Sequence, residues 1–117
     1  MKKEQKRLLS ILIEKKRYVA YESLSEAKLN YMEIKELIIN SFKNLFGEIG
    51  LSKAGIMFVD YKDNKGILKI NNKYVDEVKA SFSMIRKINK QDILVRSLRV
   101  SGTLKKVRGL TLIGGGL

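Results

Sequence analysis

Two pairs of carboxylates, Asp60 with Asp63 and Asp76 with Glu77, are spaced to hold a divalent cation, and beyond them the chain offers little to an enzyme. Its 117 residues include no cysteine and no histidine. The commonest general base and the commonest transition-metal ligand are thus missing, together with the thiol nucleophile and the cysteine-based zinc site. Carboxylate, lysine, hydroxyl or carboxylate-bound Mg²⁺ chemistry remains. Even the carboxylate pairs have structural explanations. Asp60 and Asp63 flank an expected hairpin turn, while Asp76 and Glu77 fall in the first turn of an expected helix, where negative charge suits the macrodipole. Gly47-Glu48-Ile49-Gly50 lacks the Gly-Lys-Ser/Thr ending of a phosphate loop, and Gly114-Gly115-Gly116 opens no helix. The residue types disfavour catalysis.

The basic residues are more informative because they are segregated. Residues 1–17 carry seven basic and two acidic side chains, residues 18–83 nine of each, and residues 84–117 eight basic and one acidic, which accounts for the net +12. A solvated face explains scattered lysines but not a neutral middle between two basic ends. Polyanion binding does, since clustered cations release counterions condensed on a phosphate backbone. An anionic membrane surface would want an amphipathic helix with large apolar anchors, which only residues 6–16 approach. Two clusters stand out as phosphate contacts: Lys15-Lys16-Arg17, and Arg96, Arg99, Lys105, Lys106 and Arg108 around Ser101-Gly102-Thr103. Ser101 and Thr103 offer hydroxyls, and Gly102 permits close backbone approach. The competing explanation is a bulged edge strand guarded by charge.

These residues need elements to hold them. Residues 17–22 are rich in aromatic and β-branched types and predict a first strand. Ser23 followed by Glu26 has the capping-box form, and apolar positions from Ile34 to Phe46 predict a helix over about 26–46 that Gly47 stops. A loop at 48–53 leads to a second strand at 55–61, a turn at 62–66 and a third strand at 66–70. Asn71 or Asn72 caps a second helix with Val75, Val78, Phe82 and Ile85 on its apolar face, ending near Ile88. Residues 93–103 form a last strand. The order β-α-β-β-α-β predicts an α+β, ferredoxin-like or RRM-like sandwich, with an antiparallel sheet and both helices on one face. One domain is expected, with a core at 14–108, an extension at 1–13 and a mobile tail at 109–117. No stretch is apolar for the roughly 20 residues of a membrane span, and no secretory signal is present, so a cytoplasmic location is expected.

Strict alternation in the second strand points Ile56 and Phe58 one way and Met57, Val59 and Tyr61 the other. Both sheet faces are then partly apolar although the helices cover one. The open face is expected to meet a protein partner through Met57, Val59 and Tyr61. A base-stacking platform is not expected. The third strand has no aromatic residue, and Tyr18 and Tyr21 point to opposite faces.

Taken together, Glu14-Lys15-Lys16-Arg17-Tyr18-Val19-Ala20-Tyr21-Glu22, the helix ending Leu45-Phe46-Gly47, the segment Gly50-Leu51-Ser52-Lys53-Ala54-Gly55 and the closing Arg99-Val100-Ser101-Gly102-Thr103-Leu104-Lys105-Lys106 resemble one family. It is the small subunit called component 2 of archaeal ribonuclease P, with its eukaryotic Pop five relatives. The likeness spans residues 14 to 108 in the family's order. It departs at Leu8-Leu9-Ser10-Ile11-Leu12-Ile13, where the family has a proline-containing segment.

The resemblance implies a non-catalytic subunit of an RNA-based endoribonuclease that makes the mature 5′ end of tRNA from its precursor. It implies that the RNA supplies the active site and its Mg²⁺, and that the protein binds no cofactor. The implied partners are the ribonuclease P RNA, precursor tRNA indirectly, and a larger barrel-shaped subunit (component 3) in a two-plus-two heterotetramer. A generic basic RNA- or ribosome-binding module is the alternative that the residues leave open. A carboxylate enzyme built on Asp60 or Asp63 is a more distant one.

Overall fold

The computed structural model describes residues 15–108. The expected extension at 1–13 and tail at 109–117 lie outside the described residues. Strand β1 spans Lys16–Ser25, helix α1 Tyr31–Ala54, β2 Met57–Lys62 and β3 Lys65–Asn71. After a 3₁₀ turn at Asn72–Tyr74 come helix α2 at Val75–Met84, the two-residue β4 at Lys87–Ile88, and β5 at Gln91–Ser101. The chain turns helical again at 104–108.

The sheet order is β2-β3-β1-β5-β4, and every neighbouring pair is antiparallel. β1 and β2 therefore run parallel with β3 between them, the split βαβ arrangement predicted from the element order. Two-residue turns close both hairpins. Asp63 and Asn64, then Asn89 and Lys90, adopt positive φ at both central positions, as the right-handed strand twist favours.

Several boundaries differ from the sequence expectation. β1 continues to Ser25 because Ser23, Leu24 and Ser25 pair with Val95, Leu94 and Ile93 of β5, so Ser23 is a buried strand residue and caps nothing. The capping box is Asn30 with Glu33: the Asn30 side chain accepts from the Glu33 amide at 2.8 Å, and Glu33 accepts from the Asn30 amide at 3.1 Å. Gly47 interrupts α1 without ending it. Its φ of 76° and ψ of 175° break the helical ladder, after which residues 48–53, expected as a loop, resume the helix until Gly55 closes it in the left-handed region. α2 ends at Met84 rather than near Ile88, and residues 87–88 pair with β5 instead.

Both helices pack on one sheet face. Ile34, Ile38 and Phe42 of α1 and Val78 and Phe82 of α2 meet Val19, Tyr21, Leu68, Ile70, Ile93 and Val95 in the main core. Each large side chain so buried contributes on the order of 1.5–3 kcal/mol. Ser41 Oγ donates to the Ser81 carbonyl at 2.7 Å and ties the helices together. The Tyr21 ring lies against Phe82 at 5.6 Å and fills the space that Gly66 leaves open, since a Cβ at Gly66 would stand 2.4 Å from the ring.

Candidate nucleic-acid interface

The antiparallel pairing of β1 and β5 sets Tyr18 opposite Ser101. The start of the first strand therefore lies beside the end of the last, and the two basic clusters share one end of the sheet. Contact is direct: a Cβ placed on Gly102 would be 3.5 Å from Nη1 of Arg17. The close approach expected at Gly102 is filled by this guanidinium. Lys16 reaches another way, with Nζ 3.2 Å from where a Cβ on Gly55 would sit, against the C-terminus of α1 and its negative partial charge. Ser101 Oγ accepts from the Thr103 amide at 3.2 Å, an ST-type turn that swings the chain into the helical residues carrying Lys105 and Lys106.

The eight cations expected to contact RNA divide into two groups. Arg96 is ion-paired to Glu22, itself 92% shielded from solvent, and Arg108 donates to Asp60 through Nε at 3.0 Å and Nη2 at 2.8 Å. These two guanidiniums hold the sheet's own carboxylates. Lys15, Lys16, Arg17, Arg99, Lys105 and Lys106 have no carboxylate within ion-pair distance among the described residues. They cluster at the shared end, and with Lys105, Lys106, Lys15 and Arg99 exposed they are available to phosphates.

Folding adds cations that the linear charge pattern concealed. Lys69 pairs with Tyr18 on β3, Lys53 occupies the last turn of α1, where its carbonyl accepts from Asn71 Nδ2 at 2.9 Å, and Lys73 follows Asn72, whose amide donates to the Lys15 carbonyl at 2.8 Å. All three belong to the segment of zero net charge. Folding brings them to the first basic cluster.

The face away from α1 and α2 has a register that can be followed strand by strand, because residues paired across antiparallel strands share a face. One transverse row holds Met57, Lys69, Tyr18 and Ser101, and the next holds Asp60, Ile67, Ala20 and Arg99. Bulges at Phe58/Asp60 in β2 and at Ala20/Tyr21 in the β1–β5 ladder put Val59 beside Asp60 and Leu98 beside Arg99 on this face. The second row is covered. Val107 is fully buried on Ala20 and Ile67, with Leu104, Tyr18, Val59 and Leu98 packed around it.

The bulge corrects the alternation expected for β2. Met57 and Val59 do lie on the open face, but Tyr61 turns to the helix-covered side and packs on the main core. Its hydroxyl donates to the Leu29 carbonyl at 2.9 Å. Met57 is 60% exposed while Val59 lies under the C-terminal turn, so the three residues form no common patch.

Asp60 is committed to Arg108, Asp63 occupies a positive-φ turn position, and no group of three metal-ligating side chains is gathered among the described residues. The strongest proton-affinity shift is structural as well. Burial pushes the Tyr21 phenol far above its usual range, with Tyr61 and Tyr31 adding to the effect, and burial likewise raises Tyr61. No described helix is long and apolar enough to cross a membrane.

Known proteins resemble the chain in sequence and in fold. The chain is 30% identical over 110 residues to ribonuclease P protein component 2 of Thermococcus kodakarensis, with 92% of each chain covered. It is 38% identical over 95 residues to the protein of the same name from Methanococcus aeolicus, covering 81% of this chain and 70% of that one. A chain in the cryo-EM structure of yeast ribonuclease MRP shares the fold at a TM-score of 0.66 and 15% identity, over 87% of this chain and 90% of that one. The model of the Rpp14/Pop5 family matches residues 17–111, which takes in every described helix and all but the first described residue of the sheet, and the chain belongs to that family.

Proposed function

We propose that the protein is a subunit of ribonuclease P that binds and structures the catalytic RNA for 5′ maturation of precursor tRNA. The observation that carries this reading is the meeting of Lys15, Lys16 and Arg17 with Arg99, Lys105 and Lys106 at one end of the sheet, free of carboxylate partners among the described residues. Six such cations in one place suit the crossing of two RNA backbones, where phosphate repulsion is strongest. Membership in a family whose curated relatives are named ribonuclease P protein component 2 supports the same reading.

In this reading the protein has no catalytic site and no cofactor of its own, and the Mg²⁺ that activates water is held by the RNA. Its work is electrostatic: neutralising phosphates so that helices pack at lower divalent-ion concentration. It acts in the cytoplasm with the larger barrel-shaped subunit, component 3, in a two-plus-two heterotetramer. The test is cleavage of precursor tRNA by the catalytic RNA at low Mg²⁺, with and without this protein and that subunit. Stimulation that requires both proteins is the expected result. A folded protein that leaves cleavage unchanged is instead a general RNA-binding module.

A further inference from the structure

The row Met57–Lys69–Tyr18–Ser101 crosses four strands at the basic end, at the rim of the cover formed by Leu104 and Val107, against which the half-buried Tyr18 also packs. Tyr18 is the single ring on this face among the described residues: Tyr21, Phe42, Phe58, Tyr61, Tyr74 and Phe82 belong to the helix side, as do Tyr31 and Phe46, which stack on members of that group. The Lys69 ammonium stands 5.8 Å from the centroid of the Tyr18 ring. Ser101, across the other strand, carries a hydroxyl, and Met57 borders the row with a largely exposed thioether.

From this arrangement we infer that the row is a binding site for one unpaired nucleotide, an inference that rests on the RNA-binding reading above and refines it. The base stacks on Tyr18, Lys69 leaves the ring to meet the adjoining phosphate, and Ser101 takes a ribose hydroxyl. Magnitudes favour the exchange. An exposed lysine over a ring is worth about two- to five-fold in a binding constant. A base stacked on an aromatic side chain is worth roughly five- to 150-fold. Charge complementarity favours RNA over a protein occupant. The apolar centre of this face is already buried under the chain's own Val107, and what remains is one half-buried ring under Lys69, with the exposed Arg99 in the next row and the exposed Lys105 and Lys106 on the turn that follows Leu104. One ring instead of a platform means one base, read with little regard to its identity.

The experiment compares the full-length protein's affinity for a single-stranded RNA octamer of mixed A and U with that for an octamer of abasic ribose-phosphate, which has equal charge and no bases. The expected result is at least a five-fold preference for the base-bearing strand. Tyr18→Leu abolishes that preference, Tyr18→Trp retains it with base-dependent quenching of the new indole, and all three proteins keep the same salt dependence. Equal affinity of the native protein for the two strands overturns the site, as does an undiminished preference in Tyr18→Leu. The native comparison and the Tyr18→Trp quenching decide the matter even where Tyr18→Leu fails to fold. If Tyr18→Leu instead loses the co-purifying larger subunit and leaves RNA affinity intact, the row belongs to a protein and the inference fails. A steep salt dependence without base preference strikes the nucleotide site alone, whereas no binding of either strand strikes the RNA-binding reading with it.

Discussion

Arg108 and Asp60, 48 residues apart in sequence, are joined by two hydrogen bonds from Nε and Nη2 to one carboxylate oxygen, and this pair fastens the C-terminal turn over the second row of the open face. Both side chains are close to half exposed, at 43% and 49%. Solvent screening therefore limits the pair to under about 1 kcal/mol. Asp60→Asn is expected to lower the thermal midpoint by a few degrees and to speed amide exchange at Val107. A fall beyond about 8 °C would mean that the pair carries more than a surface ion pair can.

Replacing Lys105 and Lys106 together with glutamate should weaken RNA binding by tenfold or more while leaving the thermal midpoint in place, since both side chains are exposed. If about six phosphates are engaged by the intact protein, log affinity falls against log salt with a slope of about −4 to −5. The double variant is expected to flatten that slope by about 1 to 2. Filter binding across a salt series measures both quantities, and an unchanged slope would remove the C-terminal turn from the interface.

Gly66 is opposite Tyr21 on one side and Tyr61 on the other. An alanine there would press its methyl to 2.4 Å from Cζ and Oη of Tyr21, a ring wedged against Phe82 with nowhere to go. Overpacking of this kind costs about 1–3 kcal/mol. Urea unfolding of Gly66→Ala should show that loss with no change in m-value, whereas neutral behaviour would show that the ring can shift.

Tyr21 supplies a pH dependence with a definite sign. Its hydroxyl is buried with no hydrogen-bond partner among the described residues, and burial first, then the neighbouring tyrosines, push its pKa upward from 10.0. The folded protein keeps this proton where the unfolded chain gives it up. Stability is thus intact below pH 10 and declines as pH rises above it. Tyr21→Phe should equal or exceed the native midpoint at pH 7, because it removes an unsatisfied polar atom, and should show a shallower decline at alkaline pH. A loss of 1 kcal/mol or more at pH 7 would reveal a partner for the hydroxyl.

Much of this architecture was legible because its signals are local. The alternation of β1, the Asp63-Asn64 turn and the helical spacing of Ile34, Ile38 and Phe42 each specify an element within a few residues. The start of α1 was not legible for a non-local reason. Ser23 with Glu26 and Asn30 with Glu33 have the same capping-box spacing, and the choice is made by Ser23 pairing with Val95, far along the chain. Tyr61 was misassigned for a different reason. Its face is set by a bulge opposite Ile67, which period-two counting does not register. Of the interface, the two basic end segments were visible as charge, but Lys53, Lys69 and Lys73 lie in the segment of zero net charge and reach the interface through non-local pairing.

The pairing of the first strand with the last also bears on how the protein is made. β1 sits between β3 and β5, and until residue 101 has left the ribosome one whole edge of β1 has no strand to pair with. Val107, which seals the open face, emerges later still. The sheet therefore closes only after β5 has emerged, and until then the nascent chain carries its basic N-terminal segment without the strand that will lie beside it. For a protein this basic, a chaperone that shields cations would serve the newborn chain better than one that shields grease.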